Sequence, residues 1–187
     1  MNRAGTFALV LVLTALAQPP PAARQGADVP RSPRNASYTI SATLDPATHT
    51  IAGSGRLTWR NVSNAPAGEL RFHMYWNAWR NTASTWMRER RLASPSSLSS
   101  RGEGDWGWID LTRLARGGEN LLAAARYIAP DDNNADDRTV LAVPLTSPVG
   151  PGETVEIDLA WRARVPRTFA RTGRLGDYYF IAHWFPK

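Results

Sequence analysis

From Val155 to Arg164 the chain alternates with a period of two: Val155, Ile157, Leu159, Trp161 and Ala163 are apolar, while Glu156, Asp158, Arg162 and Arg164 between them are charged. In a strand, successive side chains point to opposite faces, so this pattern gives one face to a core and the other to water. A helix would spread the same apolar set around its circumference and bury charge. Pro148-Val149-Gly150-Pro151-Gly152 ahead of the run is turn chemistry, and Pro166 closes it.

The same period recurs. Tyr38, Ile40, Ala42 and Leu44 alternate with polar residues until Asp45-Pro46 breaks the run. Ile51 to Trp59 resumes it, with Gly53 and Gly55 marking a bulge or a close backbone approach. Leu70, Phe72, Met74 and Trp76 share one face of a further strand, and Arg138–Leu145 and Tyr178–Trp184 read as two more. Asn120–Ile128 fits a helix by composition and a strand by spacing. Thr82–Leu92 is the one helix candidate, and the Ser/Gly-rich stretch Ser94–Asp105 reads as a mobile surface loop. Many short strands with turns between them specify an all-β fold: a saddle-like β-sandwich of antiparallel sheets with a short helix or loop insertion.

The N-terminus has different chemistry. Arg3, the apolar run Phe7–Leu16 and the small-x-small site Ala15-Leu16-Ala17 form a signal peptide over residues 1–17. The run is shorter than the roughly 20 residues a spanning helix needs. Residues 18–36 are a Pro/Ala/Arg-rich linker, and residues 37–187 are the folded β domain. The expected location is therefore exported, periplasmic or secreted, with membrane contact only through the signal peptide. The chain has no cysteine, which excludes disulfide staples, thiol catalysis and thiolate metal sites. Its net charge of +6 is scattered; even the tightest basic cluster, Arg88, Arg90 and Arg91, has Glu89 inside it. No focused basic stripe offers itself to nucleic acid.

Motifs for chemistry are sparse. The three histidines, His49, His73 and His183, are too far apart in sequence for a helix-borne zinc pair, and no His-Glu-x-x-His occurs. His49 sits in a turn and reads as structural. His73 lies between the inward Phe72 and Met74 and is expected to face outward. His183, flanked by aromatic residues, is the candidate substrate-binding residue. Asp132, Asn134 and Asp136 have the spacing of the first calcium-loop ligands. The glycine that should follow is missing, and Val143 stands where the bidentate Glu belongs, so Asp131–Asp137 reads as an acidic hairpin loop. Nucleophile-elbow and phosphate-loop motifs are absent. No catalytic residue and no metal ligand is assigned. The eight tryptophans suit core or interdomain packing, or else a sugar-stacking surface.

The final segment, Asp177–Lys187, is densely aromatic, and an expected consequence is that the chain is the front portion of a longer protein. Several segments in order carry a resemblance: Tyr38–Asp45 leading to His49–Gly53, then Leu57–Ser63, then Glu69–Trp79. Later come Asp137–Val140, Pro151–Thr154, Pro166, Arg171–Gly173, Tyr178–Phe180 and Trp184–Lys187. Together they resemble the N-terminal domain of the aminopeptidase N family, the gluzincin zinc aminopeptidases, in its bacterial exported branch. The resemblance implies a β-rich saddle packed against a thermolysin-like catalytic domain. That domain holds zinc through His-Glu-x-x-His and a distant Glu, and binds the substrate amine with a Gly-x-Met-Glu-Asn loop. Neither motif occurs in this sequence. The implied function is a non-catalytic domain that shapes the substrate cleft, inactive alone, with zinc as cofactor only of the parent protein. Its implied partners are the catalytic domain and, through it, a peptide. Two alternatives are a secreted β-sandwich binding carbohydrate or protein through exposed tryptophans, and a module that self-associates.

Overall fold

The alternation at Val155–Arg164 becomes the central strand of a sheet. The computed structural model describes residues 34–94 and 98–187, so the signal peptide and nearly all of the linker lie outside the described residues. The strands are β1 (Ala36–Asp45), β2 (Thr50–Arg60), β3 (Ala67–His73), β4 (Trp108–Arg116), β5 (Glu119–Asn120), β6 (Arg126–Ile128), β7 (Val140–Val149), β8 (Thr154–Arg164), β9 (Gly173–Leu175) and β10 (Tyr178–Phe180). Among the described residues a single α-helix, α1 (Thr85–Ala93), stands where Thr82–Leu92 was expected. The sheets run β1-β2-β8-β4-β5, β3-β7-β6 and β10-β9, with every strand pairing antiparallel. This is the expected all-β class of antiparallel sheets with one helix. None of the described helices is long and apolar enough to cross a membrane.

Burial follows the pleat. Val155, Ile157, Leu159, Trp161 and Ala163 of β8 are all buried, and the charged residues between them are not. The inward sets of both larger sheets merge into one apolar core, in which Ile51, Leu57, Ile109 and Leu114 join Phe72, Leu141 and Val143. Pairing between β2 and β8 runs without a break through Gly53 and Gly55, so these glycines mark close approach and not a bulge. A Cβ on Gly53 would overlap the Trp161 ring, and one on Gly55 would overlap the Thr39 carbonyl oxygen.

Four segments differ from the sequence reading. The strand expected to reach Trp76 ends at His73, and Tyr75–Trp79 forms a 3-10 turn that buries Trp76 and Trp79. The last strand ends at Phe180, well short of Trp184. Asn120–Ile128 is neither one helix nor one strand: it contains the end of β5, a 3-10 turn at Leu122–Ala124, and β6. The stretch Ser94–Asp105, expected to be mobile, is anchored in its described part. Leu98 is buried, and Arg101 donates to the carbonyls of Arg167 and Thr168 at 2.7 Å each while lying 3.5 Å over the Phe169 ring. Residues 95–97 lie outside the described set.

Candidate functional site

His183, the one residue singled out for ligand contact, lies on a bend after β10. Its backbone is left-handed, with φ 56°. Non-glycine residues reach that region at a cost, and only where neighbours hold them there. The neighbours are visible: the Trp76 indole donates to the Ala182 carbonyl at 2.8 Å, and the Ala182 N–H donates to Thr172 Oγ1 at 3.0 Å. Both anchors belong to buried residues, so His183 is carried on fixed backbone.

The imidazole stacks on Tyr75 with centroids 4.4 Å apart, and Tyr75 in turn meets His73 at 3.7 Å. Lys187 Nζ lies 3.2 Å from His183 Nδ1. An ammonium can only donate, so Nδ1 accepts and the neutral ring carries its proton on Nε2. Desolvation, with Lys187 and Arg171 nearby, lowers the His183 pKa below its ordinary value, which favours that neutral form. What the arrangement can do chemically is present an N–H donor beside a cation, on an aromatic base. The stacking base was not legible locally, because Tyr75 and His183 are 108 positions apart and meet only through the fold, whereas Lys187 is four residues along the chain.

His73 keeps the expected outward parity, on the same face of β3 as Glu69 and Arg71, but it is half-buried rather than free in water. Tyr75 covers its ring at 3.7 Å, and its Nδ1 is enclosed with no described hydrogen-bond partner. Desolvation lowers its pKa, opposed by Asp137 and reinforced by His183 and Lys187. Because the folded pKa lies below the unfolded one, protons bind the unfolded chain preferentially in the window between the two. Stability is therefore complete above the ordinary value of 6.5 and falls as pH drops through it toward the folded pKa. Urea unfolding of the chain at steps from pH 7.5 to 5 should show this decline, to which His49 and His183 add in the same direction, and His73→Gln should make it shallower. An unchanged slope in the variant would place the titration elsewhere.

His49 is structural, as expected. It sits at φ 55°, its Nδ1 pairs with the Tyr179 hydroxyl at 2.6 Å, and its carbonyl accepts from Val165 N at 2.8 Å. The acidic segment Asp131–Asp137 does lie in the connection of the β6–β7 hairpin; Asn134 and Asp137 are buried, while Asp131, Asp132 and Asp136 are exposed and two of these reach back to α1. Asp137 accepts from Thr85 N at 3.0 Å at the start of α1, where the Ser84 side chain also caps Met87 N at 3.2 Å. Asp132 accepts from Thr85 Oγ1 at 2.8 Å, and Asp136 pairs with Arg88 at 2.9 Å. These carboxylates hold a helix N-terminus, a use that matches its positive dipole. Burial raises the Asp137 pKa, yet the hydrogen bonds from Thr139 and Thr85 outweigh it and hold the carboxyl below its ordinary value.

The zinc that the family resemblance implies has no ligand set here. Among the described residues no group of three or more His, Asp or Glu converges closely enough to hold an ion. His73 and His183 approach a common ring, but the Lys187 ammonium lies on Nδ1 of His183 and Nδ1 of His73 is enclosed.

The tryptophans supply no exposed platform either. None of the eight is exposed: Trp76, Trp79 and Trp161 are buried and the rest are partly covered. Phe169 stacks with Trp79 and Trp106 and meets Trp86 edge-on, making one packed cluster. The terminal aromatic run is also largely covered within the domain. Trp184 packs on Trp161 at 5.8 Å and Phe185 on Tyr38 at 5.2 Å. What stays bare lies one step upstream. In the β9–β10 ribbon Leu175 is paired with Tyr178, and Phe180 falls on the same face as Tyr178. Leu175, Tyr178 and Phe180 are 74%, 68% and 54% exposed. Tyr179, on the opposite face, is the one that reaches His49. Sequence reasoning did not separate these two faces, although the alternation in Tyr178-Tyr179-Phe180 holds the signal.

No family model matches this chain, and no curated protein does. Among solved structures it is similar to the crystal structure of a two-domain M1 zinc metallopeptidase mutant bound to L-tryptophan, at 12% identity and a TM-score of 0.40. The match covers 75% of this chain and 23% of that one, so the chain spans under a quarter of the neighbour's length. At that score the likeness carries no weight for function.

Proposed function

We propose that this chain is a non-catalytic β domain of an exported zinc metallopeptidase of the aminopeptidase N kind, which packs against a zinc-bearing catalytic domain and shapes its substrate cleft. One observation carries the reading: Leu175, Tyr178 and Phe180 make a single bare apolar face on the β9–β10 ribbon, just ahead of the anchored His183. Contiguous exposed apolar surface of this kind, especially with a polar rim, marks a protein interface. The ordered resemblance from Tyr38 to Lys187 supplies the identity of the partner, and the leader at Arg3–Ala17 supplies export. In this role the Nε2–H of His183 donates to a peptide carbonyl entering the cleft, while Lys187 keeps the imidazole in the required tautomer.

The test is on the chain by itself and with its companion. Alone, it should bind no stoichiometric zinc and cleave no aminoacyl anilide. A His-Glu-x-x-His polypeptide encoded with it should bind it, and Tyr178→Ser with Phe180→Ser should weaken that binding at least about tenfold while leaving the thermal midpoint of the isolated chain in place. Peptide cleavage by the isolated chain with an ion of its own would overturn the reading. So would binding to the companion that ignores the ribbon variants.

A further inference from the structure

We propose that Arg164 and Arg174 bind a tetrahedral oxyanion of the phosphate class, in the crevice between the end of β8, the Glu103–Asp105 turn and the inner face of the β9–β10 ribbon. The site goes beyond the zinc-domain reading and does not rest on it.

Topology brings the two guanidiniums together. Arg164 is the last residue of β8, flanked across the sheet by Thr50 and Trp108. In the ribbon Arg174 is directly paired with Tyr179, so both side chains leave on the face opposite Leu175 and Tyr178. That face is turned toward the end of the larger sheet, where Tyr179 reaches His49. Gly104 marks the meeting point. Arg174 donates to its carbonyl at 3.2 Å, and Arg164 Nη2 stands 3.5 Å from where a Cβ on it would lie. All of these walls come from residues upstream of Phe180.

The charges in the crevice do not balance. Among the described residues the Arg164 guanidinium has no acceptor, and that of Arg174 has only the Gly104 carbonyl; the Nε of each is enclosed and unpaired. The carboxylates on adjoining elements are engaged elsewhere. Asp105 pairs with Arg167 at 3.4 Å, Asp110 with Arg80, and Asp45 accepts from Thr48 Oγ1 at 2.7 Å. Glu103 and Asp177 are exposed and pair with neither arginine. The excess positive charge reaches His49, whose pKa is lowered by desolvation and then by Arg174 and Arg164, against Asp45 and Asp177. Two partly desolvated cations without a counterion repel each other, and an anion between them relieves both costs.

The geometry also selects the anion. A guanidinium is a planar fork that grips two oxygens at once. Two forks arriving from separate elements suit a tetrahedral oxyanion, which offers oxygens to both. A carboxylate is filled by one fork and leaves the other unpaired. Each arginine keeps part of its surface in water, which gives the ion a route in.

The probe is sodium phosphate at pH 7.5, titrated into the full chain against sodium chloride of matched ionic strength. NMR follows the Nε–H resonances of the two arginines and the ring resonances of the three histidines. Phosphate should shift Arg164, Arg174 and His49 saturably while leaving His73 in place, and should raise the His49 pKa by offsetting the two cations. Arg164→Gln and Arg174→Gln should each weaken binding at least about tenfold, whereas Arg113→Gln, at an exposed position of β4, should not. Arg164→Lys keeps the charge and loses the fork, and it should weaken binding as well. Methyl phosphate binding as tightly as phosphate would show that the site takes a phosphoryl group borne on a larger molecule, and weaker binding that it takes the free ion. Shifts no larger than those in chloride would overturn the proposal, as would acetate binding as tightly as phosphate. So would binding that survives both glutamine changes. None of these outcomes bears on the zinc-domain partner, because no such domain is in the assay.

Discussion

Asn77→Ala is expected to lower the unfolding free energy by about 2–5 kcal/mol, with buried polar groups left unpaired at about 1–3 kcal/mol each. Asn77 is almost fully buried in the 3-10 turn after β3, and its amide joins the two larger sheets. Its Oδ1 accepts from Ile109 N at 2.9 Å, at the start of β4, and from the Arg80 guanidinium. Its Nδ2 donates to the Arg138 carbonyl at 2.9 Å, just ahead of β7. Alanine fills none of these roles, and the enclosed Ile109 N–H has no route to water. Arg80 is less affected, because it keeps its ion pair with Asp110. Urea denaturation measures the loss. Faster exchange of the Ile109 amide locates it. Asn81→Ala is the control, since that exposed side chain only accepts from Ala83 N and its loss should stay within about 0.5 kcal/mol, as for most surface changes. An Asn77 variant as mild as the Asn81 control would mean the sheets do not depend on this bridge.

How far such features can be read from sequence depends on whether one rule holds along a segment. β8 was legible because its inward and outward sets never change places across Thr154–Arg164. β4 was not, although it pairs with β8 from Asp158 to Arg164. Its register shifts between Leu111 and Arg113, so Ile109 and Leu114, five positions apart, both turn inward and the period of two is lost. The turn at Tyr75–Trp79 misled for the opposite reason. Met74 and Trp76 continue the spacing of Leu70 and Phe72, and the departure is set by tertiary contacts of Asn77 that no local pattern announces. For the candidate site, His183 could be picked out by its aromatic flanks. Its cation, its stacking ring and its left-handed backbone come from long-range packing and from Lys187 folding back. The bare face of the β9–β10 ribbon was within reach of the pleat rule, had three residues been enough to apply it.

Gly53→Ala is expected to destabilise the chain by about 1–2 kcal/mol net, and the reason is a single ring. Gly53 is directly paired with Trp161, whose indole lies across the glycine Cα where a Cβ would have to go. The ring cannot swing away cheaply: Trp161 is 1% exposed, packed among core residues and against Trp184. Overpacking of this type costs about 1–3 kcal/mol, sometimes more, and exceeds the roughly 0.5–1 kcal/mol that alanine gains over glycine in a strand. Trp161→Ala should cost about 3–5 kcal/mol through the cavity it leaves. The informative measurement is the double variant. With the indole gone, the same Gly53→Ala change has space for its methyl group and keeps its backbone-entropy gain, so its effect should change sign and stabilise by a few tenths of a kcal/mol or more. The coupling in that double-mutant cycle should therefore exceed the whole cost of Gly53→Ala by that gain. Additive effects would show that glycine is required at this position for its backbone and not for the tryptophan lying over it.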